Sequence, residues 1–160
     1  MTNALEKMVV FRVGEDLFAA SVQSVERVLR QQQARPVPDV PAWIDGVIEY
    51  RQRVVPVINL RRRFELPEMD ARPEMRTLIM HAGDEWIAVT VDAVLEVTGA
   101  GEVTPPPPFF RGLAGEYMRG LVKRGDELVI ALDVDRLLTA TERLQIGAAT
   151  GREDGGTGHG

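Results

Sequence analysis

Apolar and polar positions alternate along this chain in short runs broken by Gly and Asp, the pattern of strands joined by tight turns. Met8, Val9, Val10, Phe11 and Val13 precede the turn Gly14-Glu15-Asp16, and Leu17, Phe18, Ala19 and Ala20 follow it, predicting a first hairpin. The strongest signal is at residues 46–60, where two β-branched runs flank a polar interruption at Arg51, Gln52 and Arg53. Pro56 in the second run has no amide donor, which predicts an edge strand or a bulge. Residues 77–81 and 86–91 surround the turn Ala82-Gly83-Asp84 as another hairpin, and residues 120–134 form a fourth, turned by Gly125-Asp126. Between hairpins, Val22, Val25, Val28 and Leu29 recur at helical spacing. They predict a short helix capped by Ser21 or Ser24 and ended by Gln31, Gln32, Gln33 and the prolines at 36, 38 and 41. Residues 93–96 echo that helix, and residues 61–64 predict one helical turn. Residues 134–144 predict a closing helix with Leu137, Leu138 and Leu144 inward. Residues 36–43 form an extended connector.

Residues 46–60 return without a gap at 120–134, an offset of 74: Gly46 falls on Gly120, Val55 on Val129, Ile58 on Leu132 and Asn59 on Asp133. Upstream, residues 18–25 match 87–94 at an offset of 69. The chain reads as an internal duplication of a small β unit, with the boundary at residues 66–75.

Composition narrows the function. The 160 residues, 44% apolar, suffice for one domain or two small subdomains. No run of 18 apolar residues occurs and the N-terminus has no apolar signal core, so a cytoplasmic protein is expected. The absence of cysteine excludes disulfides, thiolate zinc sites and cysteine nucleophiles. Residues 1–67 carry a net charge of +2 and residues 68–160 a net of −7, which argues against nucleic acid and suits a protein that meets two different surfaces. Residues 147–160 include six glycines and are expected to be disordered.

No catalytic constellation emerges. Of two histidines, His159 lies in the glycine-rich tail and His81 reads as an ordinary strand-end residue, too few for a zinc site. Ser21 and Ser24 lack the context of an activated nucleophile. The paired acids Asp84-Glu85, Asp126-Glu127 and Asp133/Asp135 read as solvated turn residues. Gly99-Ala100-Gly101 lacks the lysine of a phosphate loop. Arg61, Arg62 and Arg63 read as a solvated face or a partner contact, and the prolines at 105–108 as a stiff connector or a polyproline ligand. Neither a metal nor a cofactor is expected.

The chain resembles the CheW family of bacterial chemosensory adaptors over residues 7–145. The resemblance rests on Phe18-Ala19, on Val22 with Val25, on Pro41-Ala42-Trp43-Ile44 leading to Gly46-Val47, and on Arg51, Val54, Pro56, Val57, Leu60 and Arg61 of the main hairpin. In the second half it continues through Val91-Asp92, Val94, the proline loop, Gly120-Leu121, Leu132-Asp133-Val134 and Leu137-Leu138.

The resemblance implies a mainly β fold of two similar five-stranded SH3-like barrel subdomains, about 7–67 and 76–140, with short helices and a closing C-terminal helix. It implies a non-enzymatic scaffold that joins a CheA-like histidine kinase regulatory domain to the cytoplasmic tips of chemoreceptors. Val25, Arg27 and Gly46 are then the kinase face, and Arg51, Leu78 and Val97 line the receptor groove. Three positions depart from the family pattern: Gln52 stands for a glycine, Arg27 for an acidic residue and Asn59 for an aspartate. The first two suit an adaptor of a separate array governing pili or development, or a kinase decoy. The rival from another class is a ligand-binding or enzymatic β domain with a pocket between the units.

Overall fold

The computed structural model describes residues 7–68, 70–99, 103–105 and 117–137. Among them ten strands carry the chain: β1 (Lys7–Val13), β2 (Asp16–Ser21), β3 (Val25–Arg30), β4 (Ile44–Tyr50), β5 (Arg53–Asn59), β6 (Arg76–Ala82), β7 (Glu85–Val91), β8 (Ala93–Gly99), β9 (Met118–Arg124) and β10 (Glu127–Leu132). One helical turn, α1 (Leu60–Arg63), follows β5, and 3-10 turns occupy Val22–Ser24 and Val134–Arg136. The four predicted hairpins all form as antiparallel pairs.

The strands make two five-stranded sheets, in the orders β8-β1-β2-β10-β9 and β3-β6-β7-β5-β4. When β1 to β5 are matched with β6 to β10, the two orders are the same, but each sheet takes its opening hairpin from one half of the chain and its other three strands from the other. Neither sheet is built from the contiguous stretch 7–67 or 76–140. Local alternation fixes which residues turn back on one another, not which hairpin lies alongside. The charge difference between the halves is mixed across both sheets for the same reason.

The duplication is nevertheless visible atom by atom. Arg35 exchanges two backbone bonds with Val47, at 2.8 and 2.9 Å, and Thr104 exchanges the same two with Leu121, at 2.9 and 2.8 Å. Asn59 donates to the Trp43 carbonyl and Asp133 to the Tyr117 carbonyl, each at 2.8 Å. Gly46 and Gly120 face these crossings: a Cβ on either would strike the carbonyl of Arg35 or Thr104. At Gly46 the backbone also has φ +145, where side chains are disfavoured.

Three apolar clusters hold the sheets. Phe11, Phe18, Ile58, Leu78, Met80, Ile87 and Leu137 belong to the largest, which draws on both sheets. Met8, Val10, Ala19, Val122 and Val129 form a second cluster on strands of the first sheet, and Ile48, Val55, Val57, Ile79 and Ala88 a third on strands of the second.

Several expectations need correction. Residues 22–29 form one 3-10 turn and then β3, and residues 93–96 begin β8. Ser21 does cap, its Oγ accepting from Gln23 N at 3.2 Å. Val22 and Val28 are 36% and 43% exposed, not the buried face of a helix. Pro56 lies in an inner strand, between β4 and β7. Its cross-strand neighbour Val47 spends both backbone groups on Arg35, and pairing with β7 starts only at Val57, so no ladder bond is missed there. The sheets are not closed barrels: among the described residues β3 and β4 are edge strands, and the hydrogen-bonded bridge between this pair of edges is Arg35–Val47, just beyond β3. Most of the closing helix, the tail at 146–160 and three of the four prolines lie outside the described residues.

Candidate functional site

The β4–β5 hairpin ends in a two-residue turn. Tyr50 pairs with Arg53, and Arg51 and Gln52 between them have φ of +51 and +65. Two positive φ values in sequence are the geometry of a type I′ turn, whose twist matches the flanking strands but which favours Asn or Gly. The turn therefore projects Arg51 from a fixed backbone, with its side chain 57% exposed.

A rim of polar and aromatic side chains surrounds this tip. Arg51 Nη1 lies 3.5 Å from Glu26 Oε2 on β3, and His81 Nε2 on β6 lies 3.1 Å from Glu26 Oε1. The His81 ring meets Trp86 of β7 edge-on with centroids 5.8 Å apart, and the Arg53 guanidinium stacks 4.0 Å from the Trp86 ring centre. Tyr50 packs against Trp86 at 5.5 Å and lies under Arg51 at 5.4 Å. The rim thus crosses all five strands of the second sheet, and Arg51–Glu26 ties edge strand β4 back to edge strand β3.

The first sheet has a matching latch. Arg124, at the end of β9, bonds Glu96 of β8 and Glu127 of β10, each at 2.6 Å, so its edge strands are also tied by an ion pair. The hydrogen bond to Glu96 is the main cause that raises the Arg124 guanidinium above its ordinary value. The arginine sits one residue earlier than in the second sheet, since Gly125 occupies the place of Arg51.

Of the residues expected at the kinase face, Val25 is half-buried, pairs with Met80 and packs on the largest core cluster. Arg27 is exposed on β3. Gly46 is buried on β4, at the other edge of the sheet, so it presents no surface and its role is to admit Arg35. Of the residues expected in the receptor groove, Arg51 is exposed at the tip, whereas Leu78 is fully buried in the core. Val97 is 59% exposed, on β8 of the other sheet. Arg51, Val25 and Arg27 are brought together around Glu26.

Sequence reasoning missed Glu26, His81, Tyr50 and Trp86. The available signal was Glu26 lying between two named candidates. A bulge between Val25 and Arg27 obscured which way it faces.

A cleft of about 610 Å³ lies elsewhere, lined by Arg12, Glu15, Arg61, Arg72, Glu74 and Asp92 among others. Its most buried polar pair is spent on structure. Arg61 Nη2 bonds Asp92 Oδ2 at 2.6 Å, and the same oxygen accepts from Gly14 N at 2.8 Å. Arg62 of α1 bonds Glu68 at 2.6 Å, which is the first cause of its raised pKa. Asn59 caps α1 by accepting from Arg62 N at 3.1 Å, work that Asn and Asp do about equally well. Among the described residues no group of His, Asp and Glu is placed to hold a metal.

The model for the CheW-like domain matches residues 7–142. The chain is 29% identical over 142 residues to the chemotaxis protein CheW of Treponema pallidum, covering 85% of this chain and 84% of that protein. It is 32% identical over 135 residues to CheW of Bacillus subtilis, covering 83% and 86%. The crystal structure of the scaffolding protein TtCheW from Thermoanaerobacter tengcongensis superposes with a TM-score of 0.78 at 27% identity, covering 86% of this chain and 94% of that one. With the paired sheets and the family model spanning nearly all the described residues, the chain belongs to the CheW-like domain family.

Proposed function

We propose that this protein is a non-enzymatic chemotaxis adaptor that couples the cytoplasmic tips of chemoreceptors to a CheA-like histidine kinase, recruited from the cytoplasm to receptor arrays. The observation that carries the reading is the position of Glu26. Its carboxylate holds Arg51, the exposed tip residue, while its chain neighbours are Val25 and Arg27 on edge strand β3. A ligand that engages the Arg51 fork through carbonyls or a carboxylate competes directly with Glu26. Displacing Arg51 then changes a side-chain tie between the β4–β5 turn and β3, the strand that carries the proposed kinase face. Arg27, basic where the family pattern is acidic, favours a kinase with an acidic docking surface.

Gly46 and Leu78 leave this proposal as contact residues, since both are buried; Val25, Arg27, Arg51 and Val97 remain. The test is a three-component binding measurement with a soluble receptor-tip fragment and the regulatory domain of the cognate kinase. The parent is expected to bind both at once. Arg27→Glu is expected to lose the kinase arm alone, and Val97→Asp the receptor arm alone. Failure of the parent to bind either component contradicts the reading.

A further inference from the structure

A cavity of about 250 Å³ opens on the first sheet, and Met8, Val10, Ala19, Val122 and Val129 form its apolar wall. In the second sheet the equivalent positions carry larger side chains. With the offsets of 69 and 74 residues, Val10 corresponds to Ile79, Val122 to Ile48, Ala131 to Val57 and Thr98 to Leu29. The registers agree: Val10 faces Ala19 as Ile79 faces Ala88, and Val122 faces Val129 as Ile48 faces Val55. Tyr50 and Trp86 pack on the second sheet's cluster with ring centroids 5.5 Å apart, and their counterparts in the first sheet are Arg124 and Leu17. Met8, in the place of Thr77, is an exchange in the other direction, and the cavity remains beside it. Protein interiors are close-packed, so an open space where the equivalent cluster carries two rings is room for a ring.

We infer that this cavity binds a free, uncharged aromatic molecule of one or two rings, of the class of indole. The charge balance at the rim sets the class. Lys123 and Arg124 are matched by Glu96 and Glu127, and Arg124 bonds both carboxylates at 2.6 Å. The Thr98 hydroxyl donates to the Gly99 carbonyl at 3.5 Å. An ionised ligand finds no charge in excess there and an apolar wall behind it, where an unpaired charge is costly. An apolar cavity of about 150 Å³ already takes a benzene ring, so this one has room for a fused pair. The Arg124–Glu96 pair joins β9 to β8 across the lining of the cavity. Being solvent-exposed, it opens at little cost and closes again behind a free molecule. The side chain of a partner protein stays tethered through the mouth and holds the pair apart. The inference rests on this cavity and not on the kinase or receptor reading.

The test titrates the full chain with indole and follows the backbone amide signals by NMR. Saturable shifts are expected at Val10, Ala19, Val122 and Val129, with a Kd between about 10 µM and about 1 mM, the range open to so small a ligand. Val10→Ile combined with Val122→Ile places the other sheet's side chains in the cavity. That protein is expected to melt no lower than the parent and to bind indole at least about tenfold more weakly. Thr98→Leu, on edge strand β8, is a second filling variant with the same expectation. Indole-3-acetate and tryptamine carry the same ring with a charge of either sign, and are expected to bind at least about tenfold more weakly than indole. N-acetyl-tryptophan amide, which carries the ring on a peptide unit, is expected not to bind. The absence of saturable shifts at the four named residues overturns the inference, as does indole binding unchanged in a folded filling variant. A charged analogue that binds as well as indole overturns the uncharged class. Binding of N-acetyl-tryptophan amide overturns the free molecule and assigns the cavity to a partner's side chain.

Discussion

The guanidinium of Arg63 donates to the carbonyl of Leu137 at 3.1 Å, and Leu137 is the residue that holds the place of Arg63 in the other half of the chain. The same guanidinium lies 4.1 Å from the ring centre of Trp43 and 4.8 Å from that of Tyr117, which are again counterparts 74 residues apart. Arg63 thus sits where the two halves meet, buried to 6% exposure.

This position predicts that Arg63 is a structural clamp. Lysine keeps the charge but loses the planar group between two rings, so Arg63→Lys is expected to cost about 2 kcal/mol. Thermal melting checks it, with a fall of about 5 °C expected. A melt unchanged from the parent contradicts the clamp.

Gly46→Ala is expected to destabilise by more than about 3 kcal/mol, since the new methyl meets the Arg35 carbonyl at a backbone angle that side chains avoid. Gly120→Ala is expected to do the same against Thr104, although Gly120 has no positive φ. Denaturant unfolding of both variants checks this. Any loss of kinase binding in Gly46→Ala is then a loss of fold.

How far the sequence could be read follows from these residues. The hairpins and the duplication were legible because alternation and turn chemistry are local, and the 74-residue match carries over to backbone bonds at Trp43/Asn59 and Tyr117/Asp133. The exchange of hairpins between halves was not, since nothing in the residue pattern of β1 and β2 distinguishes β10 from β5 as a neighbour. The helix expected at 22–29 failed for a different reason. A bulge at Glu26 breaks the period of two, and the remaining spacing of Val22, Val25 and Leu29 imitates a helix face. The family resemblance located Arg51 and Arg27 on the surface, but it named Gly46 and Leu78 for positions that are buried.

The type I′ turn predicts a gain from removing a side chain. Gln52 at φ +65 stands where glycine is at ease, so Gln52→Gly is expected to stabilise the fold by up to about 1 kcal/mol. Denaturant unfolding is the check, with a higher midpoint and an unchanged slope expected. A lower midpoint means that the Gln52 side chain makes a compensating contact.

Leu78 and Val97 are expected to separate under substitution. Leu78→Ala opens the core and is expected to cost about 2–5 kcal/mol, while Val97→Ala on the exposed edge is expected to stay within about 0.5 kcal/mol. Melting curves of the two variants decide it, and equal losses contradict the assignment of Val97 to the surface.

The central claim is that Arg51 transmits receptor engagement to β3 through Glu26. An exposed ion pair of this kind contributes under about 1 kcal/mol to stability, so Arg51→Ala, Arg51→Lys and Glu26→Gln are expected to melt within a few degrees of the parent. The most direct measurement is receptor-dependent kinase activation in an array reconstituted from the cognate receptor, the kinase and each variant. The account predicts that all three variants still bind the kinase but lose most of the activation, with Arg51→Lys failing along with Arg51→Ala because a point charge does not replace the fork. Full activation by a stably folded Arg51→Ala protein would contradict it.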